Sequence, residues 1–211
     1  MGQYYKPVFL NKDNKPTAYA NCYDFGSLAK LMEHSWMLND FVGFIERQLS
    51  ITPQKLVWAG DYADNESPDT LTNSEVKQLS DEDCKYSNSK VIKKEGVNLY
   101  TLCQISGRIT HSEDDKEDVN FANMKAYKYL INHDKGLFVD KSKVPSLGDG
   151  WRIHPLPLLT AEGNNRGGGD FRGEDENNIV GSWSRDCIGV VSRKSDIPKH
   201  FKEIIFDLNE D

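Results

Sequence analysis

The run from His154 to Gly173, HPLPLLTAEGNNRGGGDFRG, constrains the fold more than any other part of the chain. Pro155 and Pro157 each remove a backbone donor and fix φ, whereas Gly167, Gly168 and Gly169 leave the backbone free to take left-handed angles. A run so rigid at one end and so permissive at the other cannot form a long regular element. It reads as a shaped loop, and shaped loops carried on a scaffold are where sites are commonly built.

The scaffold around it reads as α+β. Residues 3–10 are aromatic and β-branched enough for a strand, and the polar cluster 11–16 turns the chain into a second strand over 17–23. Ser27 is placed to cap a short helix carrying Leu28, Leu31 and Met32. Asn39 is placed to cap another, in which Phe41, Phe44, Ile45 and Leu49 recur at helical spacing until Pro53 ends it. His34 and Trp36, between these helices, read as a partly buried imidazole beside an indole. Residues 55–59 form a short buried strand that ends in the Gly60-Asp61-Tyr62 turn. Residues 64–96 are polar, with apolar positions for one short helix over 74–79, and read as a surface excursion. Residues 98–105 are apolar but too short for periodicity to separate strand from helix. A hairpin over 127–140 turns at His133-Asp134-Lys135-Gly136, and strands are expected over 179–191 and 201–208. The sum is mainly antiparallel sheet with a few helices on one side.

With 211 residues the chain fits a single domain, 1–211. The pattern also allows two similar lobes, 1–110 and 119–211, with the excursion 64–96 as an elaboration. Phe9-Leu10-Asn11-Lys12-Asp13 and Leu130-Ile131-Asn132-His133-Asp134 match at a turn, and Trp58 precedes Asp61 as Trp183 precedes Asp186. A cleft between such lobes is a natural ligand site.

A formal charge of −7 argues against a phosphate-tracking partner, so no double-stranded nucleic acid is expected. Cys22, Cys84, Cys103 and Cys187 are scattered, without Cys-x-x-Cys or zinc-finger spacing; a metal site is not written here and reduced thiols in the cytoplasm are the default. No window approaches the apolar length of a membrane helix, so no membrane partner is expected.

Arg166 and Arg172 flank the three glycines, where open backbone N–H groups and guanidinium forks suit an anion. The same glycines also suit a tight crossover packed against a strand, and Asp170 a cation. The run is neither a Walker loop nor a dinucleotide fingerprint. His154, oriented by Asp170 or Asp61, has the chemistry of a general base, although no nucleophile elbow accompanies it. Trp58, Trp151 and Trp183 read most simply as core or rim aromatics, one of which at a cleft could stack on a base or a sugar; Tyr62 and Trp183 are the aromatic ligand-binding candidates.

These residues also carry a resemblance. Met1-Gly2-Gln3-Tyr4-Tyr5, Gly60-Asp61-Tyr62-Ala63, the His154–Ala161 run with Gly163-Asn164 and Arg166-Gly167-Gly168-Gly169-Asp170, and Gly181-Ser182-Trp183-Ser184-Arg185-Asp186 resemble a family of uncharacterised proteins from bacteria and their phages. The resemblance skips residues 64–96, which implies that the scaffold is the two motif-bearing halves. It brings no activity or cofactor with it.

The expected function is binding of a small anionic ligand, a nucleotide among the candidates, by Arg166, Gly167, Gly168, Gly169 and Arg172 with Tyr62 and Trp183. One alternative is a hydrolase or transferase on such a ligand, using His154, Asp170 and Asp61 with or without a divalent metal. The other is an acidic module that blocks a basic protein partner.

Overall fold

The computed structural model describes residues 3–67, 71, 73–82, 89–103, 110–111, 127–146, 150–163 and 179–208. Its centre is one mixed sheet. Strands β1 (Tyr5–Leu10) and β2 (Pro16–Tyr19) form the expected first hairpin, and β1 pairs along its whole length with β3 (Gln54–Gly60). The second hairpin is β5 (Tyr129–Asn132) with β6 (Leu137–Asp140), Gly136 taking φ 63° in its turn. With β4 (Thr110–His111), β8 (Cys187–Val191) and β9 (Lys202–Ile204), the order is β4-β2-β1-β3-β8-β5-β6-β9. The short β7 (Ala161–Glu162) lies parallel to β3 beyond the end of β8. Gly60 permits that approach, because a Cβ there would stand 2.7 Å from the Glu162 carbonyl oxygen. The strands of the two halves therefore join side by side, through β3 and β8.

Helices cover both faces of this sheet rather than one. In β3, Leu56 and Trp58 point to one side, and Val57 and Ala59 to the other, all fully buried, so both sides need cover. Helix α1 (Leu31–His34) and helix α2 (Asp40–Ile51) supply it on the first face, where Phe41, Phe44 and Ile45 pack on Tyr5, Phe9 and Trp58. Each such side chain stabilises the fold by about 1.5 to 3 kcal/mol. On the other face Val8, Leu10, Val57 and Ala59 lie beneath α3 (Asn73–Glu82), α4 (Ser89–Glu95) and α5 (Leu99–Leu102), through Leu79, Ile92 and Leu102. The polar stretch thus holds two helices where one was expected. Its apolar residues are few, but the helices place them on the sheet.

Local chemistry explains the other differences. Asn39 caps α2 as expected, its Oδ1 accepting the Phe41 and Val42 N–H groups at 3.0 and 3.2 Å. Ser27 does not cap α1; it bonds the Asn39 side chain, while the Glu33 carboxylate accepts the Lys30 N–H that opens α1. Only 187–191 of the strand expected over 179–191 is extended, because Gly181 and Arg185 take left-handed φ values of 73° and 63°. Pro155 and Pro157 sit inside a short helix, α6 (Pro155–Leu159), in the first turn, where their missing N–H groups have no intrahelical partner to lose.

Candidate functional site

A cavity of about 520 Å³ opens between the N-terminal half of α2, the end of β6 and the segment leading into α6. Three ionisable side chains meet at its floor: Glu46, Lys141 and His154, exposed by only 2%, 8% and 3%.

Each arrives there for a local reason. Glu46 follows Val42 by four residues and precedes Leu49 by three, so it lies on the buried stripe of α2. Lys141 begins a 3-10 turn, Lys141–Lys143, directly after β6. Asp140 fixes that turn by accepting the Ser142 N–H at 3.0 Å. His154 is the N-cap of α6: its Nδ1 accepts the Leu156 N–H at 3.2 Å, and its backbone N–H donates to the Ser35 carbonyl at 2.9 Å.

The Glu46 Oε1 receives two donors. Lys141 Nζ bonds it directly, and His154 Nε2 stands 3.2 Å away. Since Nδ1 is already an acceptor, the imidazole carries its proton on Nε2 and donates it to Glu46. Burial opposes the charge on Glu46, yet Lys141 and His154 together hold its carboxyl below the usual range. Burial, with help from the Lys141 charge, pushes the His154 pKa down against the pull of Glu46, so the ring stays neutral. The lone pair that a general base needs is engaged by Leu156.

The walls are of two kinds. Arg152 donates from Nε to the Val144 carbonyl at 3.0 Å and from Nη2 to the Lys141 carbonyl, fixing the turn that carries the lysine. Lys128 pairs with Asp140 at 3.5 Å. At the mouth, Leu38 and Trp151 are 66% and 58% exposed, and Trp151 meets Trp36 edge-on at 5.7 Å. Leu38 holds a left-handed φ of 68°, a conformation that strains a bulky side chain.

Of the residues singled out from sequence, His154 lines this cavity. Asp61 lies at the end of β3, its Oδ1 accepting the Tyr4 N–H at 3.1 Å, with Tyr62 beside it at the surface. Trp183 is buried in the main core, its backbone N–H donating to the Leu159 carbonyl at 2.7 Å. Arg166, Gly167, Gly168, Gly169, Asp170 and Arg172 lie outside the described residues. Trp151, one of the three tryptophans read as core or rim aromatics, stands at the cavity mouth, whereas Glu46, Lys141 and Leu38 were not anticipated. Glu46 did leave a signal, as a lone acid on the apolar stripe of α2.

Among the described residues no group of three His, Cys, Asp or Glu side chains is arranged to hold a metal, and no helix is long and apolar enough to cross a membrane. Comparisons with protein-family models, with curated proteins and with solved structures find no match.

Proposed function

We propose that the protein binds a small organic anion in the cavity above Glu46, Lys141 and His154. The observation that carries this reading is the Lys141 ammonium at the cavity floor. An ammonium has three N–H donors; Glu46 accepts one and His154 Nε2 stands 3.3 Å away, which leaves a donor for a ligand. The volume falls within the range of small-molecule sites, and the combination of apolar mouth and polar floor is usual for them. Binding is favoured over hydrolysis or group transfer because both nitrogens of His154 are engaged, which suits a fixed donor better than a base. Cys22, Cys103 and Cys187 are free thiols, which fits a role in the reducing cytoplasm.

The test is a thermal-shift screen of nucleotides, phosphorylated metabolites and organic acids on the wild type and on the Glu46→Gln/Lys141→Met double variant. The double substitution removes the anchoring cation without stranding a buried carboxylate. A Tm that rises with ligand concentration in the wild type and stays level in the variant is the expected result. A flat response across the panel would refute the proposal.

A further inference from the structure

Resting on the anion-binding reading, we infer that the ligand class is a monocarboxylate carrying a flat apolar body, such as an aromatic acid, with the carboxylate on Lys141 and the ring between Leu38 and Trp151.

The charge balance points to one negative charge. Among the described residues, Lys128, Lys141 and Arg152 line the cavity, while Glu46 lines it too and Asp140 neutralises Lys128. Glu46 likewise answers Lys141, so one net positive charge remains among the described residues, that of Arg152. A phosphate monoester brings about two negative charges at neutral pH. The second would face the buried Glu46 carboxylate without a cation to answer it, and like charges at short range in a desolvated site repel strongly.

The donors also fit a carboxylate better than a phosphate. Phosphate sites gather several donors from guanidinium forks, lysine ammonium groups and open N–H groups at helix N-termini. Here the Nε and Nη2 edge of the Arg152 guanidinium is taken by the Val144 and Lys141 carbonyls. At the start of α2, which borders the cavity, Asn39 Oδ1 already takes the Phe41 and Val42 N–H groups. What is left is the Lys141 N–H that neither Glu46 nor His154 meets, with the Nη1 end of Arg152, enough for a carboxylate.

The mouth specifies the rest of the ligand. Leu38 and Trp151 expose most of their apolar surface at the rim, and Trp36 braces the Trp151 ring from its edge. Leu38 is held there in a left-handed conformation that glycine would adopt without strain. Backbone strain that keeps an apolar side chain in solvent beside a cavity is explained by an apolar ligand covering it.

The experiment compares benzoate and phenylacetate with acetate, benzamide, phenyl phosphate and inorganic phosphate, by calorimetry and thermal shift at pH 8. Benzoate and phenylacetate are expected to bind at least about tenfold more tightly than acetate, benzamide or either phosphate, and Trp151→Ala to weaken them about fivefold to tenfold. Trp151 is exposed, so that variant keeps the fold. Phenyl phosphate binding as tightly as benzoate overturns the inference but leaves an anion site. Equal binding of benzamide and benzoate, or a Trp151→Ala variant with undiminished affinity, overturns it as well. No response to any anion removes this inference and the binding proposal together.

Discussion

Trp58 donates its indole N–H to His34 Nε2 at 2.8 Å, and the same imidazole meets the Leu28 carbonyl through Nδ1 at 2.9 Å. Both groups are fully buried, so the imidazole joins α1 to the centre of the sheet as a neutral two-ended link. Burial lowers its pKa from 6.5 to about 4. The unfolded chain therefore binds a proton that the folded chain refuses. The stability due to neutral His34 is full above pH 6.5 and is lost as pH falls towards 4. Between pH 7.5 and 4.5 the loss is about 2 to 3 kcal/mol. His34→Gln keeps a donor and an acceptor but does not titrate. Urea unfolding at the two pH values is expected to show a smaller loss for the variant by that amount; identical losses would contradict the assignment.

The floor of the cavity makes a different prediction. Lys141→Met alone leaves Glu46 charged and buried, and is expected to cost about 3 to 5 kcal/mol, whereas Glu46→Gln with Lys141→Met recovers most of it. A denaturant double-mutant cycle at pH 7 measures the coupling. If the single lysine variant loses less than about 1 kcal/mol, the ion pair does not hold this turn against α2.

Leu38→Gly separates stability from binding. It relieves left-handed strain of about 1 to 2 kcal/mol, which exceeds the cost of about 0.4 to 1 kcal/mol for the added freedom of the unfolded chain. A net gain of about 0.5 to 1 kcal/mol is expected, together with weaker binding of benzoate as the apolar rim shrinks. A drop in Tm for this variant would show that the rim conformation is not strained.

The periodic elements were legible in the sequence. Phe41, Phe44, Ile45 and Leu49 announce α2 because helical spacing is a local property, and the same holds for Asn39 as its cap and for the hairpin that turns at Gly136. What was not legible depends on partners distant in the chain. Pro155 and Pro157 look like helix breakers until their place in the first turn of α6 is known. His34 reads as a neighbour of Trp36, but it accepts a hydrogen bond from Trp58 on β3. The cavity floor shows the limit most clearly. Glu46 stands out as an acid on an apolar stripe, and His154 by its prolines, but nothing near Lys141 in sequence shows that its ammonium reaches α2. That follows from the 3-10 turn after β6 and from the Arg152 bond to the Lys141 carbonyl.

The pairing of Gln54 and Lys55 with Ile188 and Cys187 has a consequence for how this chain can be divided. Since β3 and β8 complete each other across most of the polypeptide's length, neither half holds the whole sheet, and a fragment ending before β8 would present the Gln54–Lys55 end of β3 as a sticky edge. That seam joins residues far apart in the chain, and non-local strand pairing of this kind is slow. Two molecules refolding at high concentration would each offer the other the missing strand, so the seam is also where they would trade halves. Two separately expressed fragments, one ending after β3 and its covering helices and one beginning before β5, would for the same reason be expected to find each other and rebuild the sheet.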